Sequence, residues 1–216
     1  MKKTFFICTI LVCIFTNIHA QWKPVGDRIV TPWTEKVDVT SVLPEYPRPI
    51  MERNEWKNLN GLWEYAIMDV GKSCPEQFDG QILVPFAVES ALSGVGKTVG
   101  KEKELWYCRM FNIPSSWKNK KILLHFGAVD WKADVWVNGI KVGSHTGGFT
   151  PFSFDITPAL VAKGDNQLMV KVWDPTDDGY QPRGKQVKHP DGIWYTPVSG
   201  IWQTVWMEKV PEYHIK

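Results

Sequence analysis

The chain has 216 residues, with 25 Lys or Arg against 23 Asp or Glu and a formal net charge of +2 at pH 7. Lys2 and Lys3 account for that excess, so the chain beyond residue 20 is formally neutral, and it carries no Lys/Arg block. This excludes the electrostatic footprint of a nucleic-acid binder or of a protein held on an anionic membrane, and the length suits one sizeable domain with a tail.

In chain order, residues 1–20 combine Lys2-Lys3, an apolar run from Phe5 to Phe15, and the small residue Ala20 before Gln21. That is the layout of a secretory signal peptide cut after Ala20. The run is too short to cross a bilayer, which takes roughly 20 apolar residues. The expected product is therefore exported, periplasmic or extracellular, with no membrane span. Residues 21–47, rich in Pro, Thr and charge and without a sustained period, read as an extended leader crossing the surface of the domain.

From Arg48 to Val210 short strand-like runs recur between turn signals: Gly61–Tyr65, Ile82–Pro85, Leu105–Ile113, Lys121–Phe126, Lys132–Val137, Ile140–Ser144, Gly148–Asp155, Gln167–Trp173, Gly192–Tyr195 and Ile201–Met207. Such spacing predicts an all-β sandwich or barrel. No long window places apolar residues at i, i+3, i+4 and i+7, so helix is confined to turns such as Ser115–Trp117 and Thr157–Leu160. Asn138-Gly139, between two alternating segments, marks a two-residue hairpin turn. Gly94-Val95-Gly96-Lys97-Thr98 lacks the upstream glycine of a phosphate-binding loop and reads as a flexible hairpin tip. Residues 211–216 read as the start of a linker to a next domain absent from this chain.

Beyond residue 20 only Cys74, in a turn-like stretch, and Cys108, in a strand-like one, remain. Export permits a disulfide between them, but two free thiols, one of them buried, is the plainer expectation. Among the 12 tryptophans, Trp63, Trp106, Trp136, Trp173 and Trp206 fall within strand runs and read as core packing. Trp131 and Trp194 sit at strand-to-loop junctions beside polar groups, where an indole face suits the C–H face of a sugar ring.

Leu59-Asn60-Gly61-Leu62-Trp63, Ile82-Leu83-Val84-Pro85-Phe86, Leu105-Trp106-Tyr107-Cys108-Arg109, the stretch from Leu124 to Ile156, and Ser199-Gly200-Ile201-Trp202-Gln203 together resemble the N-terminal sugar-binding domain of glycoside hydrolase family 2, the family of β-galactosidases and β-glucuronidases. The resemblance runs from about Arg48 to Val210 in the family's order. It implies a jelly-roll β-sandwich of the galactose-binding type over residues 48–210. It also implies carbohydrate as partner, with immunoglobulin-like and barrel domains downstream.

Glycoside hydrolysis takes two carboxylates flanking the scissile bond. In the family both are glutamates on a (β/α)8 barrel that follows the jelly roll, and a barrel needs about 250 residues. No catalytic residue is therefore assigned in this chain. The family's late jelly-roll loop sends an Asp into the barrel mouth to hold a sugar hydroxyl and, in some members, a cation. Here Pro175 and Thr176 lengthen that loop and leave Asp174, Asp177 and Asp178 as rivals, a grouping that also suits a weakly held Na, Ca or Mg-type cation. The plain alternative is an Asp-rich solvated turn.

Arg183, in the Pro/Gly-rich stretch that follows, has the fork geometry to clamp a carboxylate such as that of a uronic acid, although a solvated basic loop is the blander reading. His145, beside Gly147-Gly148, is placed to touch sugar, whereas His125 on a strand reads as a hydrogen-bonded, half-buried histidine. No Cys/His spacing suits zinc. The expected function is substrate positioning for an exported family 2 glycosidase. The alternatives are a free-standing carbohydrate-binding module and an interface domain with no sugar site.

Overall fold

The structure, a computed structural model, describes residues 22–161 and 164–215; the signal-peptide reading of residues 1–20 lies outside them. Among the described residues the strands are β1 (Trp56–Asn58), β2 (Gly61–Asp69), β3 (Gly80–Val84), β4 (Lys103–Phe111), β5 (Lys121–Phe126), β6 (Val129–Asp130), β7 (Lys132–Val137), β8 (Ile140–Thr146), β9 (Phe152–Asp155), β10 (Asn166–Trp173), β11 (Gly200–Ile201) and β12 (Val205–Val210). They pair antiparallel into two sheets, β1-β12-β5-β9 and β3-β2-β4-β10-β7-β8, with a short β11-β6 ladder beside them. This is the all-β jelly-roll sandwich expected, and its helix is limited to 3-10 turns, including those at Ser115–Trp117 and Thr157–Ala159.

Alternation along each strand builds the core. β5 sends Ile122, Leu124 and Phe126 inward, and β12 sends Val205 and Met207. They meet Leu105 and Tyr107 of β4, Val135 and Val137 of β7, and Leu168, Val170 and Val172 of β10. Successive side chains of a strand face opposite ways, so a one-residue slip of β10 would turn Lys171 into this core. Burying one such Val, Leu or Phe contributes about 1.5–3 kcal/mol. The β7–β8 hairpin turns through Asn138 and Gly139 at φ 51° and 78°, the positive pair that a type I′ turn requires. The Asn138 amide also donates to Ala159 O and Asn166 Oδ1, both at 2.8 Å.

Four expectations change. Gly192–Tyr195 is a turn, because Gly192 sits at φ 57° and Trp194 N bonds back to Asp191 O at 3.1 Å. Ile201–Met207 splits: Gly200–Ile201 pairs with β6, and only from Val205 does the chain join β1 and β5. Gly148–Asp155 shortens to Phe152–Asp155. Gly94–Thr98 is a packed loop behind a 3-10 turn, Ala91–Ser93, where the buried Ser93 hydroxyl accepts from Val95 N at 3.0 Å and Gly96 N at 3.3 Å. The strand β1, in turn, has no counterpart among the runs read from the sequence.

The tryptophans also divide. Trp63 belongs to the core between the sheets, whereas Trp106 and Trp136 stack on each other (centroids 5.6 Å apart) in a second cluster with Cys108 and Met169, residues outside the main core row. Cys108 is buried and Cys74 exposed, both as free thiols. Residues 22–47 run along the sandwich, from Val25 N on Ala91 O (3.0 Å) to Tyr46 Oη on Glu208 Oε1 (2.9 Å).

Candidate functional site

The chain leaves β10 at Trp173 and returns to the sandwich at Ser199; both ends of this long loop are tied to one buried polar hub. Asp174, 3% exposed, accepts from Thr176 N at 2.7 Å through Oδ1 and from Ser199 Oγ at 2.5 Å through Oδ2. The Ser199 amide donates to Glu89 Oε2 at 2.9 Å, and Val88 N donates to Ser199 O at 3.3 Å. One serine therefore joins the loop's first residue, its last, and a third segment of chain 110 positions away.

Asp130 lies close by on β6, opposite Gly200 of β11. Its carboxylate fills the space where Gly148 would carry a Cβ, which would stand 2.6 Å away. Gly200 is fixed in the same manner: it sits at φ 87°, and a Cβ there would meet Tyr107 Oη at 2.0 Å, the oxygen that accepts from Ile201 N at 3.1 Å.

No cation offsets these acids within ion-pairing distance among the described residues, and burial dominates their titration. Glu89 is pushed up to about 8 by burial, with the Ser199 amide pulling the other way and the Asp174 charge adding to the rise. Asp130 is raised to about 7 by burial and then by Asp174. Asp174 is raised by burial against the bonds from Ser199 and Thr176. The hub is thus a proton-holding brace, and at 3% exposure none of the three acids reaches a substrate as nucleophile or general acid.

Above the hub the loop folds on itself. Arg183 Nη1 donates to Asp177 O at 2.9 Å, and its guanidinium stands 5.9 Å from the centre of the Trp194 indole. Lys185 lies 5.8 Å from the Tyr195 ring in the same relation. Lys188 binds the Asp178 carboxylate and lies 4.0 Å from Asp177, while Lys101 lies 3.8 Å from Asp178. The Lys188 bond draws the Asp178 carboxyl below its usual range. Tyr195 closes the loop through bonds with Lys185 O (2.8 Å) and Val187 N (3.0 Å). The outcome is a ridge on which Tyr180, Ile193, Trp194 and Tyr195 are all exposed.

Of the candidates read from the sequence, Asp177, Asp178, Arg183 and Trp194 come together on this ridge, and Asp174 lies beneath it as the anchor. Asp177 and Asp178 share Lys188, whereas Asp174 is held separately by Thr176 and Ser199. Among the described residues no group of three or more His, Cys, Asp or Glu is arranged to hold a metal ion. Trp131 directly follows Asp130 of the hub, and His145 lies on β8. The Trp131 carbonyl accepts from Gly147 N at 3.1 Å, and the His145 ring stacks on Phe152 with centroids 4.1 Å apart, while its Nε2 lies 3.2 Å from Thr150 Oγ1. Burial lowers the His145 pKa. His125 is more buried than expected, at 5% exposure.

Sequence reasoning passed over Glu89, Asp130 and Ser199 as site residues. The available signal was a lone acid flanked by apolar residues at the end of a strand-like run, in Ala87-Val88-Glu89 and Ala128-Val129-Asp130-Trp131.

Residues 95–211 match the family described as glycosyl hydrolases family 2, sugar binding domain. The chain is 29% identical to a β-glucuronidase of Paenibacillus borealis over 68% of this chain and 26% of that protein. It is 30% identical to a β-galactosidase of Thermoanaerobacter pseudethanolicus over 74% of this chain and 21% of that protein. It thus spans about a quarter or less of these relatives. Among solved structures it superposes on the Lactobacillus rhamnosus β-glucuronidase with a TM-score of 0.59 and 26% identity, covering 77% of this chain and 30% of the other. The Bacteroides uniformis β-glucuronidase gives 0.54 and 26%, over 73% and 18%. By fold, by matched segment and by relatives, this chain belongs to the sugar-binding domain family of the family 2 glycosyl hydrolases.

Proposed function

We propose that this chain is the substrate-positioning part of an exported family 2 glycosidase, with the ridge above the Asp174–Ser199 hub as its carbohydrate contact. The observation that carries the reading is the Arg183–Trp194 pair: a guanidinium and an indole face held together on a loop whose two ends are pinned by buried carboxylates. A flat aromatic face takes the C–H face of a sugar, while Arg183, Asp177 and Asp178 beside it meet hydroxyls or a carboxylate. Because the hub fixes the loop's base, little ordering entropy remains to be lost when sugar binds.

The ridge supplies orientation, which lowers a barrier by bringing the bond into register with the reacting groups. Cleavage itself falls to a carboxylate pair on a barrel downstream of the immunoglobulin-like domain that residues 211–216 lead into. The relatives' names, β-glucuronidase and β-galactosidase, support a β-glucuronide or β-galactoside as the substrate, and the charged start, apolar run and Ala20 support a mature chain that begins at Gln21 outside the cytoplasm.

Calorimetric titration of the purified chain with methyl β-glucuronide and methyl β-galactoside tests the contact. Trp194→Ala is expected to weaken binding of whichever glycoside the chain takes by about tenfold, the equivalent of about 1.4 kcal/mol. Equal affinity in the variant would remove the ridge from the sugar site.

A further inference from the structure

Away from the loop, Arg109 of β4 is a largely buried cation with no counter-ion among the described residues. Its Nη1 donates to Leu62 O at 2.8 Å, while Nε is buried with no hydrogen-bond partner. No Asp or Glu among the described residues pairs with it within 4.0 Å, and the residues outside that set include no Asp or Glu. Lys57 of β1, with Nζ on Asn112 Oδ1 at 2.7 Å, adds a second positive charge near enough to repel it.

The guanidinium lines a cleft of about 270 Å³ between the leader and the sandwich, together with Thr40, Ser41, Val42, Trp56, Asn58 and Asn60. Most of the other polar groups there are already engaged. The Asn58 and Asn60 amides donate to the Val42 and Leu43 carbonyls. Asp38, an acid of the leader, accepts from Thr40 N at 2.8 Å and Thr40 Oγ1 at 2.7 Å. What remains for a ligand is Arg109 Nη2 with the second Nη1 hydrogen, and the exposed Ser41 hydroxyl.

An uncompensated cation out of water is costly unless a partner arrives, and the planar fork matches a carboxylate or phosphate through two parallel hydrogen bonds. We propose that this cleft is an oxyanion site in which Arg109 receives a small carboxylate or phosphate that bridges the leader to β4. The site is independent of the sugar ridge, and its ligand is recognised by charge and two oxygens alone.

Thermal unfolding of the purified chain with inorganic phosphate, and separately with acetate, each against sodium chloride at matched ionic strength, tests it. An anion at several times its dissociation constant is expected to raise Tm by about 2–4 °C. A response to phosphate alone or to acetate alone supports the site and identifies which oxyanion it takes. Arg109→Gln should abolish the response. Ser41→Glu, at an exposed position, places a carboxylate in the cleft, and should raise Tm without added anion and then ignore phosphate and acetate. Tm values equal to those in chloride, or an undiminished response in Arg109→Gln, would overturn the proposal. If Arg109→Gln does not fold, a full phosphate response in Ser41→Glu would overturn it equally.

Discussion

Glu208, on the outer side of the β1-β12-β5-β9 sheet, and Glu89, beneath the Asp174–Ser199 loop, are both glutamates with no more than 3% of their surface exposed. Their neighbours differ in charge. Glu208 faces Arg53 Nε at 2.6 Å, Trp206 Nε1 at 2.8 Å, Tyr46 Oη at 2.9 Å and His125 Nε2 at 3.4 Å. Glu89 has the Ser199 amide on one oxygen, nothing on the other, and the like charge of Asp174 nearby. A buried acid is tolerable when something neutralises it. At Glu208 that is a cation, and at Glu89 it is a proton. The first arrangement fastens the leader and β12 permanently; the second makes the base of the Asp174–Ser199 loop answer to pH.

The largest expected effect breaks the cation-compensated half. Arg53→Met leaves Glu208 buried with neutral donors and a histidine that burial has pulled down to about 4. Removing one partner of a buried pair typically costs about 3–5 kcal/mol, read as a lower urea midpoint at unchanged slope. A loss under about 1 kcal/mol would mean that Tyr46 and Trp206 suffice, and that the contrast between the two clusters is smaller than their geometry indicates.

The next effect lies in the proton-compensated half and has a definite sign. Below about pH 4.5 Glu89 is protonated in both folded and unfolded chains. Between its ordinary value of 4.5 and about 8 the unfolded chain releases the proton and the folded chain keeps it. The unfolded state then binds fewer protons, so stability falls as pH rises through this window and levels off above it. Asp130, raised to about 7, adds a loss of the same sign.

His125 runs the other way. Its folded value lies below the ordinary histidine value of 6.5, so it contributes stability that is present above about 6.5 and lost as pH falls toward 4. The two opposing slopes overlap at acid pH, and above about 6.5 the loop hub alone governs. Glu89→Gln keeps an oxygen for the Ser199 amide and has no proton to lose. It is expected to gain on the order of 1–2 kcal/mol over the unmodified chain at pH 8 and nothing at pH 4.5, measured by urea unfolding across pH. A constant difference at all pH values would assign the effect to packing instead of to the proton.

This contrast also marks how far the sequence could be read. Strands such as Lys121–Phe126 and Lys132–Val137 are local, since alternation alone places Leu124 and Val135 inward, and Asn138-Gly139 announces its own turn. The ridge residues were legible as well, because Asp177, Asp178, Arg183 and Trp194 lie within one polar stretch. The hub was not. Glu89, Asp130, Asp174 and Ser199 come from four segments, and the Ser199–Glu89 bond spans 110 positions; no window of sequence holds them together. The misread Gly192–Tyr195 fails for a related reason, for its apolar residues look like a strand but are held by a turn at Asp191 and face solvent.

The smallest effect in stability sharpens the comparison within the loop itself. Tyr180 is fully exposed and Trp194 is 42% exposed, and neither takes part in the bonds that tie Asp174, Ser199 and Glu89 together. Substitutions at exposed positions away from buried networks usually change stability by no more than about 0.5 kcal/mol. Tyr180→Ser and Trp194→Ala should each unfold within that margin of the unmodified chain, at pH 5 and at pH 8 alike, because they leave the proton inventory of the hub untouched. A pH-dependent loss in Trp194→Ala would mean that the indole, through Arg183 and the Asp177 carbonyl, helps to shield the hub from water. Ridge and hub would then act as one unit, and a sugar seated on Trp194 would strengthen the proton's hold on the acids below it.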